Sequence, residues 1–369
     1  MKNFNEVKNI IGSGIRSFIK KLKYVLKSMP IKIKIIALII LVIIVALITI
    51  AIIRAIRIEE SKQKYEVYDG TNLDESKYPG YKELIDNLQA SYPNWTFTLF
   101  YTKLDWSEVI ANEGHSDLRA NPLNLIPDSS SYPKDWRCEI CGDKKYDNGT
   151  WLCASDKAIK HQMDPRNILN DDNIFQFLEL KYTEGAHTTK GIQSLTEGSF
   201  LEGESIAEAL IQAGENANID PYFITSRLIQ EQGRNGTTLS RGYEYNGVTV
   251  YNPFNVNATG NSSEEIIENA AKYAFEQGWD TLEKALIGGV NFVRNGYIDV
   301  GQNTLYLQKF DVVNQDGELY WHQYMQNLLA PKSEASNMKA IYEASGTADA
   351  GLNFIIPLYE NMPEEVSEY

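Results

Sequence analysis

The stretch NIDPYFITSRLIQEQGRNG, Asn218 to Gly236, carries its own punctuation. Asp220 is a good N-cap, Pro221 suits the first helical position and Gly233 is a natural stop, which predicts a helix over 220–232. Within it Ile224, Leu228 and Glu231 fall at i, i+4 and i+7, so a carboxyl is expected on the apolar face, in the last turn. Burial and the negative end of the helix both penalise the ionised form. A carboxylic acid retained near neutrality is what a general acid needs to protonate a leaving glycosidic oxygen. The plain structural alternative is a partly exposed Glu closing a helix, one of 49 acidic residues.

Downstream, residues 233–262 are rich in Gly, Asn, Ser and Tyr and include Tyr243, Tyr245, Tyr251, Phe254 and Asn255. Flat rings and amides of this kind can line a sugar cleft; a surface loop is the structural alternative. Helical patterns are read at 204–217, 220–232, 264–277, 281–294 and 318–329. Upstream, YKELIDNLQASY reads as a helix and WTFTLFYT as a half-buried strand with Trp95, Phe97, Leu99 and Tyr101 alternating. A second strand, LNFIIPLY at 352–359, carries Pro357 and so suits a sheet edge; pairing of the two would join the ends of the body. The fold class is therefore mainly α, of α+β type, with a small accessory α/β region at 79–200 and a helical domain at 201–369.

The chain has 369 residues, 43% of them hydrophobic, and a formal charge of −14, enough apolar content for a packed core. Its charge divides unevenly: residues 1–34 carry nine Lys or Arg and one acid, and everything after them sums to −22. An acidic body argues against a nucleic-acid partner. Between the two lies IIALIILVIIVALITIAII, residues 35–53, whose uncharged length reaches roughly 28 Å as a helix, about a bilayer core. The run is longer than a signal-peptide core, so it reads as an uncleaved transmembrane helix that contacts membrane lipid. The basic excess before it puts the amino terminus in the cytoplasm and the rest outside. The anchor also leaves room for a membrane-protein partner. Ile11, Ile15, Phe18, Ile19, Leu22, Val25 and Leu26 recur at helical spacing in the cytoplasmic segment, which suits either a helix on anionic lipid or a topology-setting tail. Residues 54–78 are polar and read as a stalk.

Cys138, Cys141 and Cys153 are spaced C-x2-C-x11-C, and His161 follows, so a four-ligand zinc site can be written. A disulfide with one thiol left over is equally natural outside the membrane, and neither reading is required. No motif surrounds His115, His187 or His322. No P-loop, Rossmann glycine pattern or nucleophilic-serine arrangement appears, and no cofactor is expected.

Taken together, RLIQEQG, VYNPFNV, AAKYAFEQGWDTLEKALIGGVNFVRNGYIDVGQNTLYLQKFDV and YWHQYMQN resemble the endo-β-N-acetylglucosaminidases of glycoside hydrolase family 73, in their membrane-anchored Gram-positive form. The likeness extends upstream through YPNWTFTLFYTKLDWSEVI, Asn124 to Pro127 and Met163 to Leu169, covering roughly residues 78–363. It implies a lysozyme-like catalytic domain that hydrolyses the N-acetylglucosaminyl-β-1,4-N-acetylmuramic acid bond of peptidoglycan glycan strands. Glu231 matches the family's general acid, and Tyr297, followed by Tyr306 and Lys309, its cleft tyrosine and trailing Tyr-x-x-Lys. Tyr251, Asn252, Phe254 and Asn255, with Gln302 and Tyr306, match its substrate-binding positions. CEIC and WLCAS depart from the family's pattern. A second carboxylate is the usual glycosidase arrangement, with Asp299 and Glu244 candidates by position; the substrate's own acetamido oxygen, steadied by Tyr297, is the alternative. The rival readings are a lytic transglycosylase and a catalytically silent wall-binding scaffold.

Overall fold

The computed structural model describes residues 63–313 and 318–369, together with Pro30, Ile31, Ile35, Ile40, Ile44 and Val45. Most of the basic segment 1–34 and of the apolar run 35–53, read above as a cytoplasmic tail and an anchor, and residues 54–62 of the expected stalk therefore lie outside the described residues. Among the described residues no helix is long and apolar enough to cross a membrane.

Residues 63–369 form one compact unit. Strand β1 (Lys64–Val67) pairs antiparallel with β2 (Thr96–Asp105). The apolar run at the carboxyl end forms the last strand of the chain, Asn353–Glu360, which pairs parallel with β2 from Thr96↔Asn353 to Asp105↔Glu360. It lies at the edge of the sheet, where the missing N–H of Pro357 costs no ladder bond. Trp95, Phe97, Leu99 and Tyr101 are buried as the alternation predicts. Phe100 is buried too, because Tyr65 of β1 stacks on it at 4.5 Å. Residues 64–78, expected as stalk, thus supply a strand and the buried Tyr68, Leu73 and Tyr78. One apolar core runs from Tyr68 to Met362 across the boundary expected at 200/201.

The helices Glu204–Ala217, Pro221–Gln232, Ser263–Glu276 and Leu282–Val293 fall where the periodicity puts them. The one expected at 318–329 does not form; the helix there is Ala330–Ser345. The backbone of 320–328 bonds outward instead of four residues back. Tyr324 N–H donates to Gln308 O, Leu125 N–H to Gln326 O, and Leu328 N–H to Leu125 O. Asp311 accepts from the N–H groups of Trp321 and His322 at 2.8 Å each. Distant acceptors thus replace the helical ladder.

Two smaller sheets complete the unit. A ribbon of β3 (Leu125–Pro127), β4 (Lys145–Tyr146) and β5 (Trp151–Cys153) is ordered β3-β5-β4, and β6 (Tyr243–Tyr245) forms a hairpin with β7 (Val248–Val250). That hairpin and the helix Ser263–Glu276 enclose a second core around Val250, Ala270, Ala274 and Trp279. Phe254 packs against both cores. Gly289 admits it: a Cβ there would collide with the Phe254 ring.

Candidate active site

Asp220 starts the helix Pro221–Gln232, accepting from Tyr222 N–H at 2.7 Å and Phe223 N–H at 3.2 Å. Its carboxylate is wholly buried and also accepts from Tyr342 Oη at 2.7 Å, with His187 Nε2 at 3.3 Å. The helix is thereby pinned at its base, while Gly233, at φ 69°, ends it. Glu231 sits in its last turn, but it is exposed, while Ile224 and Leu228 are buried. This corrects the expected burial: the helix end overhangs a cavity, and Gln232 takes the inward position, donating to Pro253 O at 2.7 Å.

The cavity has a volume of about 280 Å³. Glu231, Arg227, Phe254, Asn255, Phe292, Tyr297 and Tyr324 line it, and Glu231 is the one carboxylate among the lining residues. Tyr324 is shared with a neighbouring groove of about 670 Å³, whose walls include Gln230, Trp151, Trp321 and Asp147. Trp321 is 69% exposed. Glu231 and Tyr324 thus stand where two sugar-sized depressions meet.

Tyr324 Oη donates to Glu231 Oε1 at 2.5 Å. Its ring lies 3.3 Å beneath the Arg227 guanidinium, a cation held over an aromatic face. Arg227 is buried and donates to Gln308 Oε1 at 2.9 Å and to Glu334 Oε2 at 3.2 Å. Burial pushes the Glu334 carboxyl up against the lowering effect of Arg227. Burial is also the largest cause raising the phenols of Tyr297 and Tyr324, opposed in both by Arg227, with Glu231 adding to the rise. Both phenols remain proton donors at neutral pH.

Tyr297 lies in a five-residue π-helical turn, Arg294–Ile298, that continues the helix Leu282–Val293; such turns are frequent at functional sites. Its ring stacks on His322 at 4.9 Å and meets Tyr324 edge-on at 6.1 Å. The other sequence candidates divide. Phe254 and Asn255 line the cavity. Tyr251 is absent from that lining and packs against the second core. Asn252 is fully buried and holds the loop: its Nδ2 donates to Val256 O at 2.8 Å and Ala270 O at 3.0 Å, and its Oδ1 accepts from Val256 N–H at 2.9 Å. Gln302 is buried, donating to Asp311 Oδ1 at 2.5 Å and His322 O at 3.0 Å, with its own Oε1 3.0 Å from His322 Nδ1. It positions the histidine on which Tyr297 stacks. Tyr306 is a core residue bonded to Met163 O at 2.7 Å and to Tyr359 Oη at 2.8 Å. Asp299 pairs with Arg294 at 3.0 Å and Glu244 lies exposed in β6; neither lines the Glu231 cavity.

Arg227 and Tyr324 were not among the sequence candidates. Arg227 is one turn before Glu231 and therefore on the same helix face, a signal that could have found it. Tyr324 and Trp321 lie in YWHQYMQN without a spacing that singles them out. No disulfide joins the three cysteines in the structure. His161 is not their neighbour: its Nδ1 lies 3.1 Å from Ser367 O and its ring packs near Trp136.

No family model matches the chain. It is 32% identical over 262 residues to the β-N-acetylglucosaminidase of Bacillus subtilis (strain 168), a match that covers 69% of this chain and 28% of the relative. A bifunctional autolysin of Staphylococcus aureus (strain MSSA476) is 29% identical over 221 residues, covering 58% of this chain and 17% of that protein. The chain thus spans less than a third of the length of these curated relatives. Among solved structures, S. aureus glucosaminidase B superposes with a TM-score of 0.53 at 20% identity, over 74% of this chain and 97% of that one. The major bifunctional autolysin gives a TM-score of 0.50 at 24% identity, over 72% and 98%. The folded body of this chain therefore shares the fold of these glucosaminidases and is similar in sequence to proteins named β-N-acetylglucosaminidase and autolysin.

Proposed function

We propose that the chain is a peptidoglycan hydrolase that cleaves the N-acetylglucosaminyl-β-1,4-N-acetylmuramic acid bond, with Glu231 as general acid. The observation that carries the reading is the position of Glu231, held by Tyr324 at the junction of two depressions walled by Tyr297, Phe254, Phe292, Trp151 and Trp321. A glycan laid across the junction has sugars on both sides of the carboxyl. Exposed rings such as Trp321 offer flat faces for the sugars. A seated sugar also displaces water from Glu231, which supplies on binding the desolvation that the free protein lacks.

Glu231 gives its proton to the departing glycosidic oxygen as the C1–O bond breaks. The cavity lining offers no second carboxylate, which supports attack on C1 by the substrate's own acetamido oxygen. Tyr297, its phenol protonated, steadies that group. Water then opens the resulting ring, losing its proton to Glu231, and leaves a reducing N-acetylglucosamine end. The uncharged run at 35–53 and its basic flank support a single-pass anchor with the amino terminus in the cytoplasm and the body outside, facing the wall.

The test is Glu231→Gln, which keeps the shape and hydrogen-bonding oxygen of the side chain. The variant should unfold at the same temperature as the parent and release no glycan fragments from purified wall. Full cleavage by the variant refutes the assignment. Mass spectrometry of the parent's digest separates the rivals: 1,6-anhydro muramic ends mark a transglycosylase, and wall binding without new reducing ends marks a scaffold.

A further inference from the structure

The loop that departs from the family pattern holds a second constellation, away from Glu231. His115 follows the helix Trp106–Glu113, Cys138 and Cys141 form a tight turn, and Cys153 ends β5. One ligand atom from each of these four residues lies within 4.8 Å of all the others. Cys141 Sγ is 3.3 Å from His115 Nδ1. Tetrahedral zinc, with bonds of roughly 2.3 Å to sulfur and 2.0 Å to nitrogen, needs its ligands about 3.5–3.8 Å apart. We infer that His115, Cys138, Cys141 and Cys153 form a closed structural zinc site of the Cys3His class.

Three observations support it beyond convergence. The outer contacts have the right polarity: His115 Nε2 lies 3.1 Å from Asp117 Oδ1, and Tyr146 Oη donates to Cys141 Sγ at 3.4 Å. A carboxylate behind the histidine fixes the tautomer that offers Nδ1, and a hydroxyl on the sulfur stabilises a thiolate. The backbone is shaped for the turn: Gly142 N–H donates to Cys138 O and Lys144 N–H to Cys141 O, with Gly142 at φ 56°, a left-handed conformation that favours glycine. Cys138 N–H donates to Cys153 O at 2.9 Å, which ties the turn to β5.

The ribbon also needs such a clip. Its strands have three, two and three residues, too short to hold together by pairing alone. All three cysteines are free thiols, and a disulfide would use two sulfurs and leave the third and the imidazole unexplained. Sulfur-rich tetrahedral sets select zinc among the common divalent ions. Trp151 and Asp147, which wall the larger groove, belong to this ribbon, so the metal would stiffen one side of the cleft.

The test uses the full chain purified in detergent without chelator. Elemental analysis should find one zinc per chain, and Cys141→Ser and His115→Asn should each lower the content at least tenfold while leaving the main fold intact by circular dichroism. Cobalt exchanged for zinc should give tetrahedral d–d bands and sulfur-to-metal charge transfer, altered in His115→Asn. Chelation should lower the unfolding temperature, and zinc, not magnesium, should restore it. A folded parent without zinc, or one whose mass is short by two hydrogens with a cystine peptide, overturns the inference.

Discussion

Asn252 is the sharpest point at which the structure reassigns a residue matched to a substrate position, and Asn252→Ala tests the reassignment. The side chain is wholly buried and makes three hydrogen bonds. Two of them satisfy the N–H and C=O of Val256; Ala270, inside a helix, keeps its own ladder partner. At about 1 kcal/mol for each orphaned group and less for the third, the loss comes to about 2–3 kcal/mol. For a body of this size that is a fall of roughly 5 °C in unfolding temperature. Thermal unfolding followed by circular dichroism reads it directly, and cleavage of soluble glycan supplies kcat and KM. Because Phe254 and Asn255 ride on the same loop, a weakening of KM should accompany the fall in stability. An unchanged unfolding temperature with a raised KM would mean that the amide binds sugar after all, and the reasoning from its bonds would be wrong.

Tyr324→Phe keeps the ring under Arg227 and removes the donor to Glu231. Discounted for the exposure of Glu231, this is about 1 kcal/mol, roughly fivefold in kcat at unchanged stability; Tyr324→Ala should add a stability loss of about 1–2 kcal/mol from the vacated cation–π contact. Arg227→Met leaves Glu334 buried without its partner and should cost about 3 kcal/mol in urea unfolding, most of it recovered in Arg227→Met/Glu334→Leu; equal losses in the single and double variants would count against the pair. Glu113 is buried beneath the larger groove, its oxygens bonded to Asn124 and Gln323, and burial pushes its carboxyl up to about 7 while Lys309, buried nearby, is pushed down to about 8. A carboxyl raised on folding contributes stability that is complete below its unfolded value of about 4.5 and is lost as pH rises toward neutrality. The unfolding temperature of Glu113→Gln should therefore be flatter than the parent's between pH 4.5 and 7, and parallel curves would refute the assignment.

What could be read from the sequence was what short-range signals encode. The helix Pro221–Gln232 announces itself through Asp220, Pro221 and Gly233, and the edge strand 353–360 through its apolar run and Pro357. The segment 318–329 imitates helical spacing, but its backbone partners are Asp311, Gln308 and Leu125, which no local pattern reveals. The same limit governed the site. A motif brings Asn252, Gln302 and Tyr306 along with Phe254 and Asn255, and only packing separates those that hold the loop or the core from those that face the cavity. His161 was the histidine nearest in sequence after Cys153, whereas the thiols meet His115, brought over by the turn that follows Trp106–Glu113.

The parallel pairing of Thr96 with Asn353 and of Leu358 with Tyr101 also sets an order of events. A polypeptide made from its amino end presents the middle strand of its main sheet long before the neighbour on one side has been synthesised. Until residues 353–360 are made, Phe97 and Leu99 have no Phe354 and Ile356 alongside them, and the apolar core that also holds Leu228, on the wall of the Glu231 cavity, is incomplete. A body of this topology therefore completes its main sheet only after residues 353–360 have been made.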